Sequence, residues 1–164
     1  SNTYPSSYYA KTKKSAEELI IKSNIANYWI LRLAPVYSDN FQININKRTQ
    51  FLNIFYHPGN KKIKFSLCNV KNIVLSIESI LEDKVPSGIY NISDKPSYTY
   101  DDLLKYKNAR VIIYIPKFLF KFLFKFLGYK KNELLLYKFD KLISSNIFPS
   151  RKIRKYINIT EKLC

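Results

Sequence analysis

Apolar and polar positions alternate along the chain between two periods. Over residues 15–26, Ala16, Leu19, Ile20 and Ser23 recur at helical spacing, with Glu17, Glu18 and Lys22 opposite. This helix is expected to begin near Ser7, a natural N-cap. Residues 28–33 form a short, nearly continuous apolar run ending at Ala34-Pro35, the form of a parallel strand buried on both faces. Residues 38–50 are polar and irregular and predict a loop. Residues 51–56 and 63–67 predict short strands around a turn at His57-Pro58-Gly59-Asn60, with His57 read as a turn residue.

Val70, Ile73, Val74, Ile77 and Leu81 give a clean helical face, the predicted core side of a helix over 70–81. A break at Pro86-Ser87-Gly88 precedes a strand over 89–92. Thr99 caps a helix over 99–106, with Asp101 and Asp102 in its first turn. Residues 110–115 read as a strand. Pro116 opens a helix that Gly128 closes, a further helix covers 132–140, and a short strand covers 144–148. A last helical turn falls within 150–156. Strands and helices alternate, so the expected class is α/β.

Composition narrows the function. The 164 residues are 46% hydrophobic and 16% aromatic, enough for a core and unlike a disordered tail. No apolar run reaches the roughly 20 residues that cross a bilayer. Residues 1–14 lack the pattern of a signal peptide. The two cysteines, Cys68 and Cys164, lie far apart, and His57 is the only histidine. Neither a metal site nor a disulfide framework is expected, and the usage suits the cytoplasm. The chain contains no methionine, not even at position 1, so either processing removed it or this is an internal piece of a longer protein. The net charge of +16 comes mainly from lysine. With so much Lys, Asn, Ile and Tyr it reads as a diffuse, solvated surface, and no nucleic-acid partner is expected.

Chemistry concentrates near the start. Tyr9 and Lys13 stand four apart at the head of the first helix, on one face and one turn apart. An ammonium one turn from a phenol favours the phenolate and makes the tyrosine a general acid/base. With 14 tyrosines in this lysine-rich chain, such a pair also arises by chance.

Its surroundings are more specific. Tyr9-Ala10-Lys11-Thr12-Lys13-Lys14-Ser15-Ala16-Glu17, then Leu31-Arg32-Leu33-Ala34-Pro35-Val36-Tyr37, resemble the extended short-chain dehydrogenase/reductase superfamily, the NAD-dependent epimerase/dehydratase family. Later pieces follow in family order: Val70-Lys71-Asn72, Gly88-Ile89-Tyr90-Asn91-Ile92, Ile115-Pro116-Lys117 and Ser150-Arg151-Lys152-Ile153-Arg154. Ser38 and Asn72 stand where the family usually has Gly and Asp.

The resemblance implies the C-terminal part of a Rossmann-like doubly wound sheet with a small substrate-binding portion. Residues 1–37 and about 70–95 would belong to the nucleotide-binding sheet, and about 38–69 and 96–164 to the substrate-binding portion. It implies NAD or NADP as cofactor and a sugar-nucleotide substrate in surface polysaccharide biosynthesis. Tyr9 would exchange a proton with a sugar hydroxyl, Lys13 would hold the nicotinamide ribose, and Pro35 would border the nicotinamide. Lys47 or Arg48 would meet the substrate diphosphate. The family's glycine-rich loop and catalytic Ser/Thr lie upstream of the tyrosine motif, and none of Gly59, Gly88 and Gly128 forms such a loop. The missing N-terminal half of the enzyme is therefore an expected partner, the isolated piece is expected to be inactive, and homodimerisation stays open.

A rival reading is a non-catalytic, basic module at a membrane interface or on a polyanion. It rests on residues 115–128, where Lys117, Lys121 and Lys125 form a narrow stripe among Phe and Leu, a pattern suited to peripheral membrane contact.

Overall fold

Helix α1 (Tyr8–Lys22) leads into strand β1 (Trp29–Leu33), which pairs in parallel with β6 (Gly88–Ile92) from Trp29↔Gly88 to Leu33↔Ile92. The computed structural model describes residues 8–59, 62–95, 97–116, 118–119, 122 and 142–163. The ladder continues past β1: Ala34 N donates to Ile92 O (2.9 Å), and Cys68 N donates to Pro35 O (3.0 Å). There β2 (Val36–Tyr37) runs parallel to β5 (Cys68–Asn69). Helix α3 (Val70–Leu81) connects β5 to β6, so the chain is an α/β fold with parallel pairing, as expected.

A second sheet holds the rest. Strands β3 (Gln50–Phe51) and β4 (Ile54–His57) form an antiparallel hairpin, and β7 (Ile112–Tyr114) adds in parallel to β4. The two-residue loop Leu52-Asn53 has φ of 47° and 63°, the left-handed pair that a tight hairpin of this hand requires.

Several expectations need correction. Residues 38–50 are not all loop, because Ile43–Thr49 forms helix α2. The Ile-Asn-Ile-Asn alternation hides it. Tertiary contacts hold it instead: Ile45 and Thr49 are buried, and Asn44 Nδ2 donates to Val36 O (2.8 Å). Residues 63–67 and 144–148 are not strands. Phe65 makes only isolated bridges, to Tyr98 and to Asn146. His57 ends a strand, fully buried between the rings of Tyr100 and Tyr114. β1 is parallel but not buried on both faces: only Ile30 is buried and Leu33 is exposed, since β6 is its one strand neighbour among the described residues.

The largest departure is in α3. Its bounds match the prediction, but its predicted core face is turned inward only in part: Ile73 packs against the core. Asn72, Ser76 and Ser79 are buried, while Val74, Ile77 and Leu81 face outward, Leu81 at 78% exposure. Both α3 and α4 (Tyr100–Tyr106) end in a left-handed residue, Asp83 (φ 57°) and Asn108 (φ 49°). The next amides reach back, Lys84 N to Ser79 O and Ala109 N to Leu104 O, both at 3.0 Å. Thr99 caps α4 as expected, and with Asp102 it forms a capping box.

Among the described residues two clusters make the core. One surrounds β6 with Ala34, Cys68, Tyr90 and Ile92, closed by Ile153, Ile157 and Ile159 around a short 3₁₀ turn (Ile153–Lys155). The other joins Tyr37, Ile45, Phe65, Leu67, Tyr100 and Leu103 under α2 and α4. The expected N-cap Ser7, nearly all of the helix over 116–128 and the helix over 132–140 lie outside the described residues.

Candidate functional site

Tyr9 and Lys13 lie in the first two turns of α1, with Lys13 Nζ 5.7 Å from the centre of the Tyr9 ring. Both are exposed. Helix α1 buries none of its own residues. Its polar tie to the sheet is Glu17, whose Oε1 and Oε2 accept from Arg32 Nε at 3.0 and 3.1 Å, with Nη2 also on Oε2. This bidentate pair fixes the helix that carries Tyr9 against β1. Pro35 follows β1 directly, and its carbonyl is taken by Cys68 N.

The structure separates the two expected diphosphate contacts. Lys47 is exposed in the last turn of α2. Arg48 turns inward, its guanidinium 5.0 Å from the centre of the Phe65 ring. Burial lowers the pKa of Arg48, and Tyr100 and Tyr56 oppose that shift.

A cavity of about 390 Å³ opens at the carboxyl end of β6. Ser93, Asp94, Lys95 and Ser97 line one side, Ile147 to Arg151 with Arg154 the other, and Ser66 completes it. Neither Lys47 nor Arg48 lines it. Arg154 is committed to the walls: Nη2 donates to Ser93 O (2.9 Å) and Nε to Ser150 Oγ (2.8 Å), and burial lowers its pKa. Lys95 and Arg151 are the exposed cations of the cavity. Such a mouth, with hydroxyls and cations beyond a parallel strand's carboxyl end, suits an anionic ligand. Sequence reasoning missed Lys95 and Ser97. The signal was available, since Ser93-Asp94-Lys95 directly follows the predicted strand.

Behind the cavity Asp94 is buried and gathers three donors. Asn69 N and Asn72 Nδ2 both reach Oδ1 at 2.8 Å, and the Tyr98 hydroxyl reaches Oδ2 at 3.0 Å. Asn72 also pairs with the backbone of Glu161, Nδ2 to O at 2.8 Å and N to Oδ1 at 3.3 Å, while Leu163 N donates to the Tyr98 oxygen at 2.9 Å. An aspartate at position 72 would bring a second carboxylate against Asp94 and remove the amide donor.

Among the described residues no three His, Cys, Asp or Glu side chains come together as a metal site. Nor do these residues form a pyrophosphate cradle. Gly59 and Gly88 have positive φ, but Gly59 follows β4 and Gly88 opens β6, so neither precedes a helix N-terminus. No described helix is long and apolar enough to cross a membrane.

No protein-family model and no curated protein matches the chain. Solved structures do. A functionally unknown conserved protein from Silicibacter pomeroyi DSS superposes with a TM-score of 0.67 at 10% identity, over 98% of this chain and 53% of that one. UDP-glucuronic acid 4-epimerase from Bacillus cereus, solved with NAD, gives 0.54 at 20% identity over 71% and 43%. The enzyme WbmG from Bordetella bronchiseptica, solved with NAD and UDP, gives 0.54 at 18% identity over 95% and 46%. The chain thus spans about half the length of these structures, and what it shares with them is a Rossmann-like α/β fold.

Proposed function

We propose that the chain is the C-terminal portion of an NAD- or NADP-dependent enzyme that epimerises, dehydrates or reduces a sugar nucleotide. The observation that carries this reading is the strapping of the Tyr9–Lys13 helix to β1 by Glu17 and Arg32. Both halves of that contact belong to the motifs that resemble the epimerase/dehydratase family. The fold shared with NAD-bound and UDP-bound structures supports it. In this reading Tyr9 exchanges the proton of a sugar hydroxyl, Lys13 holds the nicotinamide ribose, and Pro35 borders the ring. The cofactor supplies hydride transfer when bound. The described residues offer it this pair and no phosphate cradle, so a glycine-rich N-terminal half is the partner proposed to complete the site.

Two sets of cations are offered to the substrate diphosphate. Lys47 and Arg48 were the expectation from sequence. The cavity favours Lys95 and Arg151, because Arg48 is turned onto Phe65.

The test is turnover of UDP- and dTDP-sugars by the chain joined to such a half. Tyr9→Phe should lower kcat by about 10²- to 10⁴-fold with little change in KM. The neighbouring Tyr8→Phe should leave kcat intact. Equal loss from both variants would discard the assignment.

A further inference from the structure

Helix α3 packs on its own protein through Ile73, Ile80 and three small polar residues, Asn72, Ser76 and Ser79. Val70, Val74, Ile77 and Leu81 stand outside that contact, Val74 46% and Ile77 44% exposed. Their spacing of four, three and four residues is that of the apolar seam between two paired helices. The chain's own core therefore does not account for this stripe.

Charge identifies what covers it. Lys71, Glu78 and Glu82 are exposed and follow one another along one flank of the stripe, since residues seven and four apart lie on one side of a helix. Lys71 stands in the first turn, Glu78 in the last, and Glu82 at the C-cap. A helix on its own favours the reverse order, acids at the start and bases at the end. Local helix stability thus does not select these charges. The neighbours they have, Glu161 at 3.7 Å from Lys71 and Lys84 at 2.6 Å from Glu82, form exposed pairs that exchange readily with water. The flank is complementary to itself when it is laid alongside a reversed copy.

We propose that α3 is the contact between two copies of this chain, the helices running antiparallel about a two-fold axis between Val74 and Ile77. Val74 of one copy then meets Ile77 of the other, and Val70 meets Leu81. Lys71 faces Glu78 and Glu82 across the seam, once on each side of the axis, as a closed two-fold contact requires. A parallel pair would set Lys71 on Lys71 and Glu78 on Glu78, which repel. The stripe is short, below the roughly 1,200–2,000 Å² of a standard interface, so the dimer is weak, with a Kd on the order of 10–100 μM. The sugar-nucleotide reading makes no use of this stripe, and the two stand or fall separately.

The test is analytical ultracentrifugation of the full chain over a range of concentrations. Leu81→Gln should raise the dimer Kd about tenfold or more and leave Tm unchanged, since the side chain is 78% exposed. Lys71→Glu should raise it about tenfold, by setting like charges across both sides of the axis. Adding Glu78→Lys and Glu82→Lys to that variant should restore the dimer. This charge exchange also suits the helix dipole, so the triple variant should fold. A chain still monomeric at about 1 mM overturns the proposal. So does a dimer that Leu81→Gln leaves intact, because it forms through another face. An unchanged Kd in Lys71→Glu overturns the antiparallel pairing. Loss of the dimer when the chain is joined to a glycine-rich N-terminal half also overturns it, since that half would then be the occupant of the stripe.

Discussion

Glu17 and Arg32 meet through three contacts, Nε to both carboxylate oxygens and Nη2 to one of them, joining a helix to the strand that follows it. Because α1 buries none of its residues, the contribution of this pair to the helix position is open to direct test. Glu17→Gln keeps the shape and removes the charge. It should cost about 1–2 kcal/mol locally, with little change in global unfolding. Hydrogen exchange of the α1 amides checks it: they should exchange faster while those of β6 stay protected. Unchanged α1 protection would show that the helix is held by something else.

The cavity beyond β6 should prefer ligands with phosphate. Arg151→Ala and Lys95→Ala should each weaken binding of UDP by about three- to tenfold, and should do so less at high salt. Lys47→Ala should have no such effect, since Lys47 is not at the cavity. Titration calorimetry of the three variants distinguishes them.

Asp94→Ala should be among the most destabilising changes. It removes the acceptor for Asn69 N, Asn72 Nδ2 and the Tyr98 hydroxyl, all in a buried setting. A loss of about 2–4 kcal/mol is expected from donors left without a partner. Urea denaturation measures it. A change under 1 kcal/mol, as at ordinary surface sites, would mean that water replaces the carboxylate.

Stability should fall on the alkaline side. Burial pushes the Cys68 thiol from 9.0 up to about 12, and the Tyr56 phenol from 10.0 up to about 12. Tyr37, Tyr98 and Tyr100 move the same way for the same cause. Each keeps its proton when folded and loses it when unfolded. The unfolded chain therefore binds fewer protons above about pH 9, and stability declines from there toward about pH 12, by up to about 1.4 kcal/mol per pH unit for each group. Below about pH 9 these groups contribute no slope. Denaturation midpoints at neutral and alkaline pH, compared with Cys68→Ala, show the effect.

The elements legible in sequence were those with local signals. The Thr99 cap, the pre-proline stop after β1 and the bounds of α3 all appear where they were expected. Helix α2 was hidden because its support is tertiary, from Ile45 and Thr49 beneath it and Val36 O beside it. The outward turn of Val74, Ile77 and Leu81 on α3 was hidden for a deeper reason. Periodicity locates an apolar face but does not say what it packs on. In this chain the sheet side takes Asn72, because Asp94 and Glu161 satisfy its amide, and Ser76, whose hydroxyl donates to Asn72 O. At the site, the tyrosine motif was readable as a local word. The cavity was not, because residues 93–97 and 147–154 meet only after folding.

The hydrogen bonds between Asn72 and Glu161 span 89 residues. Closing a loop of that length costs on the order of 4 kcal/mol in chain entropy. The amides and hydroxyls around Asp94 recover that cost only once β5, α3 and β6 are already in place to present it. The C-terminal segment is therefore a late arrival in folding, and it seals a surface that the earlier elements must hold open in advance. In the opposite direction, loss of the contacts at residues 161–163 uncovers Asn72 and Tyr98 without disturbing the parallel strands.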